Sequence, residues 1–80
     1  MKVKFLQSFI SKLGGVAMYK EEYREILFID NKERYFTIKY EKGCWKDAGY
    51  SISGESLGQY EGHLTYIELK TYINNLFEEA

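Results

Sequence analysis

The sequence predicts a small single α+β domain in the order α-β-β-β-α, with two helices packed on a three-stranded antiparallel sheet. Three observations predict it. Apolar residues recur at spacings of three and four near both ends of the chain. Between them the period drops to two, and β-branched and aromatic residues dominate. The breaks between the strand-like runs are short and polar, which makes sequential strands antiparallel neighbours. Residues 1–80 read as one domain, since a chain of 80 residues builds one modest core. A lone Cys forms no internal bridge, so packing of the eight Tyr and five Phe must hold that core.

The first helix is expected over residues 3–13. Phe5, Leu6, Phe9, Ile10 and Leu13 form its apolar stripe, opposite Lys4, Gln7, Ser8, Ser11 and Lys12. Gly14 and Gly15 supply a left-handed C-cap. From Met18 onward β-formers lead: Tyr23 and the run from Ile26 to Ile29, then Tyr35, Phe36, Thr37, Ile38 and Tyr40. The polar residues 30–34 between them form a turn.

Register follows from pairing chemistry. A loop of two or four residues would set Glu25 against Ile38 and Arg24 against Lys39. A loop of three or five pairs Phe28 with Phe36, Ile26 with Ile38, Glu25 with Lys39 and Asp30 with Arg34. The second register is the expectation, with Asn31 taking the positive φ such a loop needs. Ala48, Tyr50 and Ile52 alternate with Gly49, Ser51 and Ser53 as a third strand, and residues 54–62 read as a loop. Thr65 and Glu68 then form a capping box, with Leu64 placed to staple onto Leu69. The second helix should bury Tyr66, Leu69, Ile73, Leu76 and Phe77, and Glu78 and Glu79 oppose the dipole at its end.

Composition narrows function. With 11 basic and 12 acidic residues the net charge is −1, too balanced for a phosphate-backbone binder and far from an acidic DNA mimic. Residues 1–20 carry four Lys and no acid, whereas residues 55–80 carry five Glu and only Lys70, so the two ends could lie side by side. No apolar run suits a signal peptide or a bilayer span, so no membrane association is expected. With one free thiol, a cytoplasmic setting is expected.

The stretch from Lys42 to His63 holds the only Cys, Trp and His. Cys44, Asp47 and His63 are residue types of a nucleophile, an orienting acid and a base, but no family signature surrounds Cys44. One Cys and one His do not complete a zinc shell, so neither a metal nor another cofactor is expected, and the chain reads as no enzyme. Glycines before the second helix, Gly58 and Gly62 with His63, offer an alternative site for a phosphorylated ligand or nucleotide. That alternative lacks a GK[ST] motif, and Glu55 and Glu61 would repel the anion.

The element order is also that of double-stranded RNA-binding domains, but the similarity ends there. Those domains place basic residues at the start of the second helix, where this chain has only Glu68, so nucleic acid is an unlooked-for partner. Single-strand stacking on Tyr and Trp is a further alternative without a basic groove to support it.

With both helices on the face carrying Ile26, Phe28, Phe36, Ile38, Tyr50 and Ile52, the other face shows Tyr23, Leu27, Ile29, Tyr35, Thr37 and Lys39, with Trp45 beside it. Such a surface marks a partner site, for another protein or for a second copy in a homodimer. One helix on each face would instead leave nothing spare. The expected function is therefore a non-enzymatic protein-binding module. In size and neutrality it resembles small phage or mobile-element inhibitors of host defence enzymes, anti-CRISPR proteins among them.

Overall fold

The computed structural model describes residues 1–41, 49–55 and 61–78. Helix α1 (Val3–Lys12) buries Leu6 and Ile10 and ends in the expected glycine cap. Gly14 adopts φ 97°, its N–H donates to Ser11 O, and the Gly15 N–H reaches back to Ile10 O at 3.0 Å. These two bonds are a Schellman motif, which a left-handed Gly closes without a Cβ penalty.

Strands β1 (Val16–Lys20), β2 (Glu25–Ile29), β3 (Tyr35–Glu41), β4 (Gly49–Gly54) and β5 (Glu61–Leu64) follow, then helix α2 (Tyr66–Glu78). They form one antiparallel meander in the order β1-β2-β3-β4-β5. The sheet thus has five strands among the described residues where three were expected. β1 was hidden because its residues run almost directly into those of β2, with only the four-residue turn 21–24 between them. β5 was hidden because Glu-Gly-His-Leu has little intrinsic strand preference, and pairing with β4 alone makes it a strand.

The central register is the one that pairing chemistry predicts: Phe28 opposes Phe36, Ile26 opposes Ile38 and Glu25 opposes Lys39. The turn closes on Asp30, whose N–H donates to Arg34 O at 3.0 Å. The left-handed residue, however, is Glu33 (φ 63°), not Asn31. A three-residue loop built on a type I turn places that conformation at its third position whatever residue stands there.

Both helices pack on the same face. Leu6 and Ile10 of α1, with Leu69, Ile73, Leu76 and Phe77 of α2, join Ile26, Phe28, Phe36, Ile38, Tyr50 and Ile52 in one buried cluster. Phe28 stacks on Phe36 at 5.0 Å between ring centroids and on Phe77 at 6.2 Å, tying sheet to helix. The oppositely charged ends do lie together, through cations on rings: Lys2 over Tyr66 at 5.1 Å and Lys70 over Phe9 at 5.1 Å. No described helix is long and apolar enough to cross a membrane.

Candidate functional site

With both helices on one side, the other face of the sheet is open over β1 to β3, and strand register orders it into rows. Val16, Ile29 and Tyr35 stand side by side, then Met18, Leu27, Thr37 and Ser53, then Lys20, Glu25, Lys39 and Ser51. The face therefore grades from apolar at the β2–β3 turn to charged at the opposite end. At the apolar end Val16 is 68%, Tyr35 68% and Met18 56% exposed, around half-buried Leu27 and Ile29. Beside Tyr35 lies a shallow depression of about 570 Å³, which Glu33, Arg34, Thr37, Gly54 and Glu55 also line.

Of the partner-binding residues expected from sequence, Leu27, Ile29, Tyr35, Thr37 and Lys39 do share this face. Lys39 lies across from Glu25, its Nζ 3.6 Å from the carboxylate. With the Lys39 side chain half in water, the pair contributes less than about 1 kcal/mol and serves mainly to mark the polar boundary. Tyr23 does not belong to the face. The pairing of Lys20 with Glu25 puts it in the β1–β2 turn, exposed to solvent. Trp45 lies outside the described residues, as do Cys44, Asp47, Ala48 and Gly58. Val16 and Met18 are the members that sequence reasoning missed. The signal was the alternation Val-Ala-Met-Tyr directly after the helix-ending glycines.

The alternative ligand site is differently arranged from its expectation. Gly62 and His63 sit in strand β5, not in a loop before α2. There β5 carries one residue more than β4, since Tyr50 pairs with Leu64 and Ile52 with Glu61. His63 takes φ 60° at this irregularity, and its backbone presses so near β4 that a Cβ on Gly49 would lie 2.7 Å from His63 Cα. Amides at the start of α2 are engaged by the capping box. The Thr65 N–H donates to Glu68 Oε1 at 2.9 Å, and the Glu68 N–H to Thr65 Oγ1 at 3.1 Å. Those bonds hold the Glu68 carboxyl below its ordinary value, the backbone one first.

Among the described residues two polar side chains are buried at the sheet. Ser51, on the face opposite the helices, is 1% exposed, and its hydroxyl has no hydrogen-bond partner among the described residues. The Asp30 carboxylate, in contrast, is fully engaged. Its Oδ1 accepts from the N–H groups of Lys32 and Arg34, and its Oδ2 from Arg34 Nε at 2.7 Å. Burial pushes the Asp30 pKa up, but the Arg34 N–H, the Arg34 side chain, the Lys32 N–H and the guanidinium charge together bring it below the ordinary carboxyl value. Among the described residues no three His, Cys, Asp or Glu side chains are grouped to hold a metal ion.

What the arrangement offers chemically is a desolvatable apolar patch with a polar border. No family model, curated protein or solved structure matches the chain.

Proposed function

We propose that this protein is a non-enzymatic protein-binding module that docks a partner protein on the open face of its sheet. One observation carries the reading: Val16, Met18 and Tyr35 stand exposed around Leu27 and Ile29 on a rigid, hydrogen-bonded surface. Strand pairing fixes the backbone that carries these side chains before binding, so no backbone entropy is lost there when a partner covers them. Tyr35, with an apolar ring and a hydroxyl, is the natural anchor beside the depression it lines. Its single thiol supports a reducing, cytoplasmic setting for the module. An inhibitor of a larger host enzyme is a narrower version of the same proposal, supported by size and near-zero net charge alone.

Binding is tested with Leu27→Asp and Tyr35→Ala, using Ile67→Asp as a control. Ile67 is 77% exposed on α2, away from the open face. A partner captured by the wild type should be kept by the control. Tyr35→Ala should weaken its affinity by about thirtyfold, equivalent to roughly 2 kcal/mol, and Leu27→Asp by more. Equal affinity of all three folded variants would refute the proposal.

A further inference from the structure

The two edges of the sheet are built differently. β5 is four residues long, irregularly paired and bent by His63 at φ 60°, which spoils it as a template for another strand. β1 has none of these devices. It is five residues of regular pairing, Val-Ala-Met-Tyr-Lys, with no Pro and no charge until its last residue.

The groups β1 presents outward follow from the ladder. Asp30 donates its N–H to Arg34 O, so the hydrogen-bonded pairs between β2 and β3 fall at Asp30, Phe28 and Ile26. Glu25, Leu27 and Ile29 must then direct their backbone groups to β1, where they meet Lys20, Met18 and Val16. The N–H and C=O groups of Ala17 and Tyr19 are left pointing away from the sheet.

We infer that β1 pairs antiparallel with β1 of a second copy, about a two-fold axis at Met18, to make a continuous ten-stranded sheet. Only this register uses all four outward groups of each chain, because Ala17 of one copy then meets Tyr19 of the other in a hydrogen-bonded pair. Centring on Ala17 would call on the Gly15 N–H, which already binds Ile10 O. Centring on Tyr19 would call on Glu21, whose carbonyl already accepts from Arg24. Charge agrees with the Met18 axis. It brings the exposed acidic turn of Glu21 and Glu22 beside Gly14 and Gly15 of the other copy, next to Lys12 in the last turn of its α1. On the open face the row Thr37, Leu27, Met18 then runs unbroken from one copy into the other.

Light scattering on the full chain should give twice the chain mass. Ala17→Pro should give the monomer mass, since it deletes an N–H that no described residue of the single chain accepts, and it leaves the open face unaltered. Met18→Cys in a Cys44→Ser background should form an intermolecular disulfide on mild oxidation. Opposed non-hydrogen-bonded residues lie about 4.5 Å apart at Cα, within the roughly 4.4–6.8 Å a disulfide spans. Tyr35→Cys in the same background should not cross-link. A wild-type monomer at every accessible concentration would overturn the inference, as would cross-linking at position 35 without cross-linking at 18. If Ala17→Pro unfolds, the cross-linking pair decides alone. Because Ala17→Pro spares the open face, losing the dimer and losing a docked partner are separate results.

Discussion

Ser51 shows how register, not residue type, sets the cost of a side chain. Its parity places it on the face opposite the helices beside Lys39, where a Ser is ordinarily hydrated, yet it is buried with no hydrogen-bond partner among the described residues. A buried hydroxyl in that state costs about 1–3 kcal/mol relative to one that is paired. Ser51→Ala removes the unpaired group with little change of volume, so it should stabilise the fold by about 1 kcal/mol. In a domain of this size that is a rise of roughly 4–8 °C in thermal midpoint. A fall in the midpoint would show that the hydroxyl is paired in solution. The sequence identifies Ser51 as facing away from the core but says nothing of its burial, because parity fixes the face a side chain takes and not what packs over it.

Elements differ in how far local chemistry accounts for them. Helix α2 announces itself: Thr65 and Glu68 satisfy each other's amides, and the Leu69 N–H closes the first turn on Thr65 O. Thr65→Ala should therefore cost about 1 kcal/mol, read as a lower denaturant midpoint at unchanged slope. An unchanged midpoint would mean that packing of Leu69 and Ile73 alone fixes the start of the helix. Its other end carries acidic residues against the dipole, but Arg34 Nη2 donates to Leu76 O at 2.9 Å and supplies a cation there. That bond spans 42 residues of sequence, so no local pattern could reveal it. Strand β5 lies at the far extreme, a polar tetrapeptide that is a strand because β4 offers it a partner.

At the scale of the whole molecule, Asp30 and Arg34 link the β2–β3 turn to the end of α2. The Asp30 carboxyl titrates below its ordinary value in the folded chain, so its contribution is complete above the unfolded value near 4 and is lost as pH falls through the lower folded value. Stability should thus be insensitive to this group near neutrality and decline with acid. Asp30→Asn should remove that part of the decline and cost about 2–3 kcal/mol at pH 7. This lies at or below the roughly 3–5 kcal/mol of a fully buried pair, because Arg34 keeps a quarter of its side chain in water. Parallel acid-unfolding curves for both proteins would contradict the assignment. Sequence by itself determined the two helices, their caps, the β2–β3 register and the apolar character of Leu27, Ile29 and Tyr35, since each depends on spacing or on partners a few residues apart. Only the tertiary structure decided that both helices share one face, that Val16 and Met18 widen the patch, that Tyr23 leaves it for a turn, and that one sheet edge is blunted and the other is not. Those outcomes depend on which strands become neighbours, and pairing free energy is shared between segments that do not adjoin in the chain.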